Sequence, residues 1–269
     1  MARMKIRWLR FSLRTLLVLV TALCIWLGIQ VNAARRQREA VAAIQKAGGT
    51  VYYDYQIVFE TSVQWPIKSF NDSIPPPGPA WLRRQIGDDY FRTVAAVCFL
   101  DLPAVDKADL DRLAELRGLK ALLSSGTAIV DKDLTVLASL HELEALVLIH
   151  TPVNGSILAS LPNPRCLNSL WLIETDVDDA AIESIEKMTG LVHLRLTSSR
   201  ITDAGLEHLR NLKKLEYLYL GETRITDAGL QQLAGLKQLK LVSLDGAQVS
   251  SDGVSALRAA LPNANIYWP

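Results

Sequence analysis

The hexapeptide Ile201-Thr-Asp-Ala-Gly-Leu206 returns letter for letter as Ile225-Thr-Asp-Ala-Gly-Leu230, a step of 24 residues. The frame L-x-x-L-x-L keeps the same step on both sides of it. From Leu191/Leu194/Leu196, just before the first hexapeptide, it runs on through Leu215/Leu218/Leu220 and Leu239/Val242/Leu244. Upstream it occupies Leu167/Leu170/Leu172, Leu143/Leu146/Leu148 and Leu119/Leu122/Ser124. One extra residue carries it to Val94/Val97/Phe99, and past the last copy "NANIYW" offers a closing strand with Ile266 and Trp268 in the apolar slots. Seven units and a closing strand therefore hold one register from residue 94 to 268. A fixed period of this size is the signature of a stacked repeat architecture.

Each unit combines two periodicities. The alternation across Leu215–Leu220 suits a short strand with Leu218 and Leu220 on one face. Leu230, Leu233 and Leu236 recur every three residues, as one stripe of a helix does. One strand and one helix cannot close a core, so neighbouring units must stack into a curved parallel sheet with helices outside. In this frame Thr226 or Asp227 precedes the helix, where a side-chain oxygen accepts an unpaired backbone N–H. Asp178-Asp179, Asn154 and Ser250-Ser251 keep that chemistry in other copies. Thr127, Thr151, Thr175, Ser199 and Thr223 form a further column, expected to be a hydroxyl ladder at the strand exits.

The pattern L-x-x-L-x-L-x-x-T-x-[IV]-T-D-x-G-L-x-x-L-x-x-L resembles leucine-rich repeats, in the longer helical version of ribonuclease-inhibitor-like and F-box-associated proteins. Bacterial proteins with a membrane segment ahead of such repeats look similar. The resemblance covers residues 94–268 and implies a right-handed α/β solenoid, its parallel sheet concave and its helices convex. Activity does not follow from it, because the repeat letters are core letters.

Charge is divided unevenly along the chain. Residues 1–46 carry nine Lys/Arg and one acid, Glu39, which leaves 20 basic against 27 acidic residues downstream. An acidic body argues against nucleic-acid binding, which draws its affinity from phosphate neutralisation. Between Arg14 and Arg35 stand 20 uncharged residues, long enough as a helix to cross about 30 Å of hydrocarbon. An uncleaved anchor over 15–34 is favoured over a cleaved signal peptide, because Arg35-Arg36 directly after the small-residue site at Val31-Asn-Ala33 would make an unusual mature start. Residues 1–14 then form a basic cytoplasmic tail, and the remainder faces the periplasm or the exterior. Cys98 and Cys166 fall three strands apart, about 14 Å, too far for a disulfide.

Residues 35–93 are expected to form a juxtamembrane helix and a small α+β cap, followed by the repeat domain over 94–269. "AARRQREAVAAIQKA" (33–47) is a helix stopped at Gly48-Gly49. Val51, Tyr53, Tyr55, Ile57 and Phe59 alternate as one strand with a buried face. A Pro-rich loop (71–80) leads through Pro79 into the short helix "AWLRRQI". Such a cap shields the open core edge of the first repeat.

No Cys/His ligand spacing, phosphate loop or nucleophile elbow is present, so no catalytic, cofactor or metal residue is assigned. His150 and Glu174, equivalent positions in successive copies, are the one acid–base juxtaposition, and a plain surface hydrogen bond accounts for it. The concave columns are more informative. One reads Cys98, Leu123, Val147, Trp171, Arg195, Tyr219, Ser243, Tyr267, and its neighbour Ala96, Ala121, Ala145, Ser169, His193, Tyr217, Leu241, Asn265. The small apolar start suits cover by the cap's strand. Trp171, His193, Arg195, Tyr217 and Tyr219 make the candidate partner-binding patch, with Arg195 stacked between aromatic rows. The expected function is a membrane-anchored, non-catalytic scaffold. It holds a protein or peptide on its concave face, the bilayer along 15–34, and no nucleic acid, cofactor or small-molecule substrate. The alternatives are a self-associating architectural protein of the cell envelope and a hydrolase with a His150/Glu174 site.

Overall fold

A computed structural model describes residues 13–59, 67–70, 74–102 and 105–268. Most of the expected basic tail, and the first residues of the Pro-rich loop, lie outside them. The chain begins with one unbroken helix, α1 (Leu13–Lys46). It is long and apolar enough to cross a membrane, and the expected boundary between residues 34 and 35 falls inside it. What changes there is environment: side chains are exposed up to about Gln30, whereas Ala34, Ala40, Val41 and Ile44 are buried against the rest of the protein. The helix ends where expected. Gly48 turns left-handed at φ +90° while Gly49 N–H donates to Ile44 O at 2.9 Å and Gly48 N–H to Gln45 O at 3.0 Å, a Schellman stop.

The alternating run 51–59 is not one strand. β1 (Thr50–Tyr53) pairs antiparallel with β4 (Val94–Leu100), whereas β2 (Ile57–Phe59) pairs with β3 (Ile67–Phe70) in a separate hairpin. A 3-10 turn, Asp54–Gln56, divides them. One local and one long-range bond hold it: Tyr53 N–H donates to Gln56 Oε1, and Asp54 N–H to Thr93 O, both at 3.0 Å. Tyr53 thereby enters the main core while Ile57 crosses to the concave side. The core edge of the first repeat is closed jointly by β1 and the last turns of α1, through Ala40, Val41 and Ile44. Helix α2 (Ala80–Ile86) begins directly after Pro79, as expected.

Strands β4, β5 (Ala121–Ser125), β6 (Ala145–Ile149), β7 (Ser169–Ile173), β8 (His193–Arg195), β9 (Tyr217–Tyr219), β10 (Leu241–Ser243) and β11 (Asn265–Tyr267) run parallel in chain order. Ala121 pairs with Ala145, Ser169 with His193, and Leu241 with Asn265, each 24 residues on; Ala96 with Ala121 carries the one extra residue. The protein is an α/β solenoid. Its repeated Leu, Ile and Val positions are almost wholly buried in one continuous core. Burial of each such side chain stabilises the fold by about 1.5–3 kcal/mol.

Helices were expected on every convex turn, but the copies differ. After the short α3 (Lys107–Asp111), two copies use 3-10 turns, Asp131–Ser139 and Ser156–Ser160. Only then follow α4 (Asp179–Ile185), α5 (Asp203–Leu206), α6 (Asp227–Leu233) and α7 (Ser251–Ala260). The repeated acidic turn explains how those four are held. Thr202 and Thr226 are the N-caps, each accepting the N–H two residues on at 3.3 Å. The following Asp is not a cap of its own helix; it reaches forward to the next copy. Asp179 accepts both the N–H and the hydroxyl of Thr202 at 2.8 and 2.6 Å, and Asp203 does the same for Thr226. Asp227 clamps Ser250 in turn. Gly229 lies against the Asp203 carboxylate, so a Cβ there would collide with it. The motif letters T-D-x-G are therefore cap, clamp and clearance.

The hydroxyl column also differs from a ladder between copies. Thr223 donates to Leu220 O and Ser199 to Leu196 O, both at 2.7 Å and both within one copy. The hydroxyls of Thr151 and Thr175 are buried without a hydrogen bond among the described residues. Cys98 and Cys166 are free thiols.

Candidate functional site

The concave face has two halves. Over β4–β6, Ala96, Cys98, Ala121, Leu123, Ala145 and Val147 form a second apolar cluster, buried on the side of the sheet opposite the main core. Ile57 at the start of the β2–β3 hairpin belongs to this cluster, and Tyr52 of β1 packs against it. Burial pushes the Cys98 thiol up to about 12.

From β7 onward the letters grow and the face opens. Trp171 and His193, both candidates, are only 3% and 5% exposed; Trp171 joins the apolar cluster as its bulkiest member. Arg195, Tyr217 and Tyr219 are half-buried. The rings of His193 and Tyr217 stack at 4.4 Å with 3° between their planes. Arg195 stands between two aromatic rows, its Cζ 5.5 Å from the Trp171 ring and 4.9 Å from that of Tyr219. A guanidinium so placed meets the negative faces of both rings. Burial raises the Tyr219 hydroxyl above its ordinary value of 10.0, against the opposing pull of Arg195, so it stays a neutral donor and acceptor. The five candidates thus form one neighbourhood in two depths: Trp171 and His193 as floor, Arg195, Tyr217 and Tyr219 as surface.

Tyr267 completes the surface. It lies two copies beyond Tyr219 in the same column and is 59% exposed. The column spacing alone places it in the patch, although it stands outside the five candidates.

A second row follows the strand exits. Asp101, His150, Glu174, Ser198 and Glu222 all adopt φ between 50° and 57°, with glycine at the equivalent positions 126 and 246. Each N–H donates into the next copy, for example His150 to Ile173 O at 3.0 Å, which holds the left-handed turn in place. One-per-copy spacing brings His150 Nε2 to 2.7 Å from Glu174 Oε2, with both side chains about half exposed. Ser198 Oγ donates to Glu222 Oε2 at 2.8 Å and Arg200 pairs with Asp176 at 2.6 Å beside them. This is an open row of neighbour-to-neighbour polar contacts. Among the described residues no group of three or more His, Cys, Asp or Glu is arranged to hold a metal ion.

Comparison with known proteins agrees with this architecture. Residues 189–249 match the leucine rich repeat family profile. No curated protein sequence matches the chain. Among solved structures it is similar to an internalin (inlF) from Listeria monocytogenes, with 23% identity and a TM-score of 0.50 over 59% of this chain. The chain spans 43% of that internalin's length. An internalin C2 (inlC2) from the same organism aligns at 23% identity with a TM-score of 0.47, over 61% of this chain and 84% of the other.

Proposed function

We propose that this leucine-rich repeat protein is held at a membrane by residues 15–34 and presents the second half of its concave face to a protein or peptide partner. One observation carries the reading. Arg195, Tyr217 and Tyr219 form an aromatic-basic surface where the face is open, with Tyr267 beyond Ser243 in the same column, while the strands before it are closed by their own apolar cluster. Tyr and Arg are the side chains that most often anchor interfaces, because each joins large contact area to a polar handle. The unbroken, fully exposed first half of α1 supports the anchor. Five basic residues before the span against four closely after it support an extracytoplasmic solenoid.

Photo-crosslinking in intact membranes tests the surface. A photoreactive residue at position 219 or 267 is expected to yield an adduct with another protein, and one at Gln231 on the convex side is not. Tyr217→Ala with Tyr219→Ala should abolish recovery of that partner. Adducts only between copies of the chain would favour the architectural role instead, and equal adducts from position 231 would overturn the concave site.

A further inference from the structure

The angle between α1 and the cap holds a groove of about 920 Å³ that the scaffold reading does not use. Its lower wall is the exposed face of α1, including Trp26, Leu27 and Ile29. Its upper wall is Tyr90 of the cap, Arg36 of α1 and Arg117 of the first repeat. We infer that this groove binds one anionic phospholipid, with acyl chains against the apolar wall and phosphate beside Arg117 and Arg36. The inference rests on residues 15–34 crossing the bilayer.

Position comes first. If residues 15–34 fill the hydrocarbon, Ala34 lies at its boundary, and Ala34 is also where α1 becomes buried against the solenoid. Trp26 then lies about 12 Å below that boundary, at acyl-chain depth, because a helix rises about 1.5 Å per residue. Arg36 and the first-repeat turn sit just beyond it, at headgroup depth. The cap follows the span without a linker, since one helix carries both. At that level Tyr90 is an exposed aromatic, a residue type suited to the membrane–water interface.

Charge comes second. Two acids share the groove, and both are engaged. Asp89 accepts from Arg38 at 2.6 Å and Arg92 at 2.8 Å. Burial is the largest single influence on its carboxyl and pushes it up, but the two guanidiniums together hold it below its ordinary value of 3.8. Glu115 lies 3.5 Å from Arg36. Arg117 is exposed and has no hydrogen-bond or ion-pair partner among the described residues. The groove therefore keeps one guanidinium uncompensated directly above an apolar wall. An anionic phospholipid matches that order of charge and hydrocarbon; a second apolar helix would match only the lower wall.

Native mass spectrometry of the full chain in neutral detergent, with equal added phosphatidylglycerol and phosphatidylcholine, tests this. Phosphatidylglycerol adducts should predominate by about fivefold, the scale expected for one basic group at an anionic headgroup. Arg117→Glu should remove the preference, while Arg84→Glu, on an exposed arginine outside the groove, should keep it. Equal adducts, or a preference untouched by Arg117→Glu, would overturn the groove. So would a dimer that excludes lipid. Alkaline carbonate extraction of membranes separates the two readings. A chain that stays in the pellet but shows no lipid preference loses only the groove, and a chain that is extracted loses the anchor and the groove together.

Discussion

Strands β5–β7 run five residues and β8–β11 three; the first group adds to the apolar clusters on both faces of the sheet, the second to the main core alone. Convex turns differ in parallel, 3-10 in the copies beginning at Asp131 and Ser156, helical from α4 onward. The family profile covers 189–249, wholly within the second half. A repeat that only has to stack keeps the shared letters, and its free concave positions can become Arg and Tyr. A repeat that must also pack beneath a cap takes small apolar letters there. Departure from the common pattern thus records a second packing duty.

The widest contrast between the halves lies in thiol chemistry. At pH 8 the native Cys98, with its thiol pushed up to about 12 from an ordinary 9.0, should alkylate about a thousandfold more slowly than in the denatured chain. Rapid native labelling at Cys98 would mean that the first half is as open as the second. Stability gives the next contrast. Leu123→Ala, on the covered half, should cost about 2–5 kcal/mol in a denaturant titration. Tyr219→Ala, four copies along the same column in the open half, should cost about 1 kcal/mol. Equal costs would erase the distinction between floor and surface.

Two smaller effects probe what the second half has of its own. Replacing a helix-interior glycine by alanine normally stabilises, by about 0.5–1 kcal/mol. Gly229→Ala should instead destabilise by about 1–3 kcal/mol, because its Cβ meets the Asp203 carboxylate. Asp203→Ala should restore the normal sign in the double variant. The least effect is electrostatic. Hydrogen bonds from the Ser250 hydroxyl and N–H hold the Asp227 carboxyl below its ordinary 3.8. Its contribution is thus complete above the unfolded value and lost as pH falls through the lower folded one. An NMR titration should place the Asp227 midpoint below 3.8, and Ser250→Ala should raise it.

Much of this was legible in the letters, for a definite reason. Core positions repeat because every copy solves one packing problem, so strand register, the place of the cap just before each helix, and the closing Ile266 follow from spacing alone, while the choice of Thr226 over Asp227 as the cap does not. Features set by unlike neighbours did not follow. The break at Asp54–Gln56 depends on a carbonyl 39 residues away, at Thr93. Trp171 and His193 share columns with Arg195 and Tyr217, and column membership does not tell floor from surface. The left-handed row is written in Asp, Gly, His, Glu and Ser, so no common letter announces it. The Asp clamp was visible as a letter, yet its partner lies in the next copy.

That clamp bears on how such a chain can change length. Each of these copies carries both halves of the joint: a carboxylate reaching forward, and a hydroxyl residue and glycine receiving from behind. A duplicated or deleted 24-residue segment leaves every junction chemically identical to those already there. The number of such copies between α4 and β11 is therefore an inheritable variable independent of the joint itself, and the reach of the concave surface can be lengthened or shortened without redesigning that joint.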